Sequence, residues 1–128
     1  MTIPYPSFRY ACVPTALSKL FGETYDETCQ RLYAVGAVYT HVTIEALYDL
    51  LLELRGVQEV YEPDISPSFM QWRRWKRGAW VAVVTHENAP SSHCVALKDG
   101  VVLDNGWLRA EDPTILLHAA WRLEEKAA

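Results

Sequence analysis

No apolar stretch in this chain approaches the roughly 20 residues that a membrane-spanning helix needs. Nor does a basic segment followed by an apolar core open it, since the first residues read Met1-Thr2-Ile3-Pro4-Tyr5-Pro6. These absences argue against a membrane span and a secretory signal, so a cytoplasmic protein with no membrane partner is the expectation. Cysteine is scarce and odd in number, three in 128 residues, and no Cys-x-x-Cys pair occurs. A disulfide framework and a structural zinc site are therefore not indicated, reduced thiols are expected, and no metal or organic cofactor is implied. A long basic stripe is also missing and the formal net charge is −4, which argues against a nucleic-acid partner. The local exception, Arg73-Arg74-Trp75-Lys76-Arg77, reads as the solvated face of an amphipathic helix. No internal repeat or low-complexity tract is present.

Half of the residues are hydrophobic, with five Trp and seven Tyr, a composition that folds around a core. The length suits a single domain, residues 1–128. Val13, Ala16, Leu17, Leu20 and Phe21 fall at helical spacing, and Gly22 stops the run. Thr24 or Asp26 caps a second helix through about residue 35, ended by Gly36. A third starts at Thr43, carries Ile44, Leu47, Leu51 and Leu54 on one stripe, and stops at Gly56. Val57 to Tyr61 suits a short strand, and Ser66-Pro67 suits the cap and first turn of a fourth helix reaching about Lys76.

The period then changes. Ala79 to Thr85 is a continuous β-prone run, and two further strands, His93 to Leu97 and Val101 to Asn105, flank an Asp99-Gly100 turn. Beyond Trp107 two readings stay open: a helix from Asp112-Pro113, or an edge strand over Ala120 to Leu123. Helices first and an antiparallel sheet second give an α+β fold.

Cys12 is the residue through which this plan acquires chemistry. Pro14 fits a first helical turn and pushes Val13 toward extended backbone, which puts Cys12 just before the helix or at its cap. The first-turn amides and the positive end of the helix dipole stabilise a thiolate there, and the thiolate is the nucleophilic form. Cys29 falls mid-helix and Cys94 inside a strand, so both read as small buried side chains.

His93 opens the strand of Cys94 and is the candidate base. With a two-residue turn at Asp99-Gly100, Lys98 opposes Val101, Val95 opposes Asp104, and Cys94 opposes Asn105. His93, Val95 and Asp104 then share a face, Asp104 is a diagonal neighbour able to orient the imidazole, and Cys94 points away. A bulged three-residue loop shifts the pairing and gives that role to Asn105. His86, His41 and His118 lack a comparable partner in the pattern and read as solvated or structural.

A thiol on the first helix followed by His and then Asp or Asn on an antiparallel sheet resembles the chain order of papain-like cysteine peptidases. Cys12-Val13-Pro14-Thr15-Ala16-Leu17 is similar to the opening of the bacteriocin-leader-processing branch. Val102-Leu103-Asp104-Asn105 resembles the Leu-Asp-Asn segment of bacterial transglutaminase-like peptidases. The likeness spans about residues 8 to 107, and implies a papain-like fold and a Cys12-His93-Asp104 triad acting on a protein or peptide substrate through an acyl-thioester. One departure is Pro6, which occupies the place, about six residues before the thiol, where such enzymes carry an oxyanion-stabilising Gln. Losing one such donor typically slows an enzyme about 100- to 1000-fold. The Cys12 amide remains, and Ser7, Arg9 or Tyr10 is the candidate second donor, with Trp107 a candidate wall of the site. The same triad also supports deamidation or transglutaminase-like transfer, and the Pro6 gap admits a non-catalytic binding module that keeps the fold.

Overall fold

The computed structural model describes residues 8–9, 12–36, 41–86, 92–103 and 114–125. Three helices lead: α1 (Cys12–Phe21), α2 (Tyr25–Ala34) and α3 (Ile44–Leu54). Their limits follow from side-chain chemistry. Thr24, rather than Asp26, caps α2 through a reciprocal box in which its hydroxyl accepts from the Glu27 amide at 3.1 Å and its own amide donates to the Glu27 carboxylate at 3.0 Å. Thr43 caps α3 by accepting from the Ala46 amide at 3.1 Å. At its other end the chain leaves α3 through Gly56, whose φ of 99° a side chain would resist.

Two short strands, β1 (Phe8–Arg9) and β2 (His41–Val42), pair antiparallel on either side of α1 and α2 in the chain. The main sheet comprises β3 (Val57–Tyr61), β4 (Ala79–His86), β5 (Ser92–Lys98), β6 (Val101–Val102) and β7 (Ile115–Leu123), in the order β3-β7-β4-β5-β6, antiparallel throughout. The β5–β6 turn has the conformation its residues favour: Asp99 and Gly100 both take positive φ, 49° and 84°. Lys98 opposes Val101 and Leu97 opposes Val102, as the two-residue turn requires, and the Leu103 amide extends the register by donating to the Ala96 carbonyl at 3.0 Å. The Asp99 carboxylate also accepts from the Gly78 amide at 2.8 Å, tying the turn to the start of β4.

Two expectations are corrected. The fourth helix, α4 (Phe69–Arg73), is one short turn rather than a run from Pro67 to Lys76. Pro67 and Ser68 instead lie along β7, where the Leu117 amide donates to the Pro67 carbonyl at 2.9 Å and Ser68 bridges Leu116. The last segment is a nine-residue strand between β3 and β4, neither a helix from Pro113 nor an edge strand. Its apolar residues lie on both faces because both faces of the sheet are covered.

On one face α1, α2 and α3 contribute Val13, Ala16, Leu17, Leu32, Ile44, Leu47 and Leu51 to a core shared with Val81, Val83, Cys94, Ala96, Ala119 and Trp121. On the other, Phe69 packs with Trp80, Ala82, Val84, Val95, Leu97 and Leu117. A register shift between β4 and β7 leaves His118 without an opposite residue, since Val83 faces Ala119 and Val84 faces Leu117. This bulge flips the side-chain parity, so that Ile115 and Leu117 join one core while Ala119 and Trp121 join the other. The arrangement is α+β, helices N-terminal and the antiparallel sheet C-terminal. No helix among the described residues is long and apolar enough to cross a membrane.

Candidate active site

Small side chains decide where α1 meets the sheet. Cys94 and Ala96, both fully buried, alternate along β5 with Val95 and Leu97, and only the small pair faces α1. A helix can come close to a strand over such a surface. The first residue of α1 is Cys12, so close packing brings its sulfur onto the Cys94 backbone, whose amide donates to Cys12 Sγ at 3.4 Å.

The electrostatics follow from these neighbours. Cys12 is drawn down from an ordinary value of 9.0 to about 5, first by a hydrogen bond from the Cys94 side chain. Burial, the second largest influence, opposes ionisation; a hydrogen bond from His93, the Cys94 amide and the His93 charge all favour the thiolate. Cys12 is only 9 % exposed. Dipoles and an imidazole aimed at the sulfur thus outweigh its desolvation, as an activated nucleophile requires.

His93, the second residue of β5 and half-buried, is therefore brought to Cys12 as the sequence suggested. Cys94 is not where the sequence put it. It is buried, as read, but lies against the Cys12 sulfur instead of pointing away. α1 covers the face of Cys94 and Ala96, the opposite of the one expected, and His93 reaches the Cys12 sulfur although Val95, two residues on, faces the other core. The signal that identifies that face is the small size of Cys94 and Ala96 beside the bulk of Val95 and Leu97. Cys29 lies apart on α2, where its thiol neighbours Tyr25 one turn earlier.

The other three histidines are carried by other strands. His41 is in β2 opposite Arg9, and His86 ends β4 opposite Ile115. His118 occupies the β7 bulge, with Nδ1 3.5 Å from Ser66 Oγ, and burial lowers its pKa. Arg9 contributes its backbone to β1, which runs against β5. Pro6, Ser7, Tyr10, Asp104, Asn105 and Trp107 lie outside the described residues. Among those described, no group of three His, Cys, Asp or Glu side chains is arranged to hold a metal ion.

The basic cluster does not form one solvated helix face. Arg74, Trp75 and Arg77 are exposed, but the Arg73 guanidinium donates to the Gly100 carbonyl at 2.9 Å. Lys76 places its ammonium over the rings of Trp72, Trp80 and Tyr61, at 5.2, 5.4 and 5.7 Å from their centroids.

No protein-family model, curated protein or solved structure matches the chain.

Proposed function

We propose that this protein is a papain-like thiol hydrolase acting on peptide or isopeptide-like amide bonds. The observation that carries the reading is the Cys12 sulfur at a helix start, drawn into the thiolate range with His93 hydrogen-bonded to it. Cys12 Sγ attacks the substrate carbonyl, His93 delivers a proton to the departing amine, and the acyl group rests on sulfur as a thioester. Water activated by the same imidazole then releases the acid. The Cys12 backbone amide lies in the first turn, whose N–H groups point out of the helix toward a developing oxyanion. Ser7, Arg9 or Tyr10 supplies the second donor in this scheme. Asp104 orients His93, a role supported by the observed β5–β6 register, which reaches Leu103, the residue before it.

The test uses p-nitrophenyl acetate, whose cleavage needs no specificity pocket. Wild type should turn over repeatedly and show an acetyl thioester on Cys12 by mass spectrometry. Cys12→Ala should do neither, and His93→Ala should stall as the thioester. Absence of a Cys12 adduct, or turnover that ignores His93, would sink the proposal. Asp104→Ala and Asn105→Ala, compared in the same assay, decide which residue orients the imidazole. Deamidation and acyl transfer share the thioester. Offering a primary amine with a glutamine-containing protein substrate separates them, because transfer yields a new side-chain amide with release of ammonia, deamidation a glutamate with release of ammonia, and peptide-bond hydrolysis a cut chain.

A further inference from the structure

The proposed hydrolysis uses the Cys94 thiol only as a hydrogen-bond donor to Cys12 and has no use for its redox chemistry. Both are free cysteines, both belong to the core beneath α1, and the Cys94 amide approaches Cys12 Sγ to 3.4 Å. The amide nitrogen is two bonds from the Cys94 β-carbon, so the Cys12 sulfur lies within the sweep of the Cys94 side chain, and the two thiols hydrogen-bond. Their exposures differ in a useful way. Cys12 keeps 9 % of its surface open to solvent and Cys94 none, so a dissolved oxidant meets Cys12 first and Cys94 meets only Cys12.

We propose that Cys12 and Cys94 form a peroxide-reactive dithiol, which a hydroperoxide converts to an intramolecular disulfide through a sulfenic acid on Cys12. In the first step the Cys12 thiolate attacks the distal peroxide oxygen. An S–O bond forms, the O–O bond breaks, and the alkoxide or hydroxide released takes up a proton. The Cys94 sulfur then attacks the Cys12 sulfur. The S–S bond forms as the S–O bond breaks, and the departing hydroxide leaves as water with the Cys94 proton. Two thiols are oxidised, one hydroperoxide is reduced to an alcohol or water, and one further water is made. The thiolate character of Cys12 suits it to the first step, and a buried neighbouring thiol suits Cys94 to resolve the product before further oxidation. The disulfide withdraws the nucleophile, and thiol reductants restore it. The chemistry stands apart from the proposed hydrolysis, since it needs the two sulfurs and no substrate.

The experiment treats the reduced full chain with hydrogen peroxide near neutral pH, quenches with N-ethylmaleimide, and maps peptides with and without dithiothreitol. Wild type should lose two of its three thiols, and the peptides bearing Cys12 and Cys94 should migrate as one until reduced. Cys29→Ala should form the same link and lose both of its remaining thiols. Cys94→Ala should instead accumulate a dimedone-reactive sulfenic acid on Cys12 and pass on to the sulfinic acid. Where that variant fails to fold by circular dichroism, Cys94→Ser replaces it, and the wild-type map decides alone if both fail. Three alkylatable thiols after peroxide, a sulfinic acid on Cys12 beside an alkylatable Cys94, or a link through Cys29 or between two chains would each overturn the proposal. Loss of p-nitrophenyl acetate turnover on oxidation, regained with dithiothreitol, appears only if the hydrolase reading also holds.

Discussion

Replacing Cys94 by Ala removes the largest single influence holding the Cys12 thiolate while leaving His93 and the backbone amide of position 94 in place. The effect is read from the rate of iodoacetamide labelling of Cys12 across about pH 4 to 9, against free cysteine, which titrates at about 8.5. With Cys12 ionising at about 5, roughly 90 % of it is thiolate at pH 6, against roughly 0.3 % of the free thiol. That ratio of about 300 does not appear in full as rate. Thiolate nucleophilicity falls with basicity at a Brønsted slope of about 0.4–0.5, so a difference of about 3.5 in pKa costs about 30-fold and leaves an advantage of about tenfold. Burial of the sulfur reduces it further. The midpoint of the profile, not its height, is therefore the observable.

Wild type should reach its plateau by about pH 6, where the free thiol still gains about tenfold per pH unit. Cys94→Ala should raise the midpoint by more than about 1 pH unit, and His93→Ala should raise it less, following the order of their influences. A wild-type curve parallel to that of free cysteine, unmoved by either variant, would refute the electrostatic account of the site. A shift in His93→Ala alone would leave the imidazole pairing intact and refute the role given to Cys94.

Three further perturbations probe the frame. Thr24→Ala removes the hydroxyl that accepts from the Glu27 amide, keeps the backbone amide that donates to the Glu27 carboxylate, and should cost about 1 kcal/mol in urea unfolding, with no change in the labelling midpoint. Cys12→Ala tests linkage. Because the folded-state pKa lies below the ordinary one, the thiolate contributes stability that is complete above about pH 9, shrinks as pH falls, and is gone below about pH 5. The gap in urea midpoint between wild type and Cys12→Ala should thus widen from pH 5 to pH 9, and a constant gap would contradict the depressed pKa. Ala96→Val adds two methyl groups where α1 meets β5. It should cost about 1–3 kcal/mol by overpacking and raise the Cys12 midpoint by lifting α1, whereas Val95→Ala, in the opposite core, should destabilise and leave the midpoint alone.

What the sequence disclosed and withheld has a physical pattern. Helix ends were legible because threonine caps and stop glycines act over three or four residues, and the β5–β6 register was legible because Asp99-Gly100 admits so few turn geometries. Both are local. The central position of β7 was not legible, because a strand covered on both faces loses its alternation, and the His118 bulge inverts what alternation remains. α4 was overestimated because Ser66-Pro67 matches a helix start in isolation, while in the fold those residues run along β7. At the site, Cys12 and His93 followed from their positions on elements. The part played by Cys94 needed the side of the sheet on which α1 packs, a fact carried by the sizes of four β5 residues rather than by any motif.

That packing choice also explains why burial and activation coexist at one sulfur. A thiol carried into a core by its helix is normally pushed toward its neutral form, because the charged form loses its hydration. Here the same close approach that desolvates Cys12 also delivers the Cys94 amide at 3.4 Å, the Cys94 thiol and His93. The opposing effects have one geometric origin, the contact of α1 with β5, and at this contact the hydrogen bonds and the His93 charge together outweigh the burial penalty. A larger residue at position 94 or 96 would relax both, and the sulfur would gain solvent while losing its donors. The lowered pKa of Cys12 is thus a property of the α1–β5 contact, where Cys94 and His93 both act on the sulfur and the small Ala96 side chain faces the same helix.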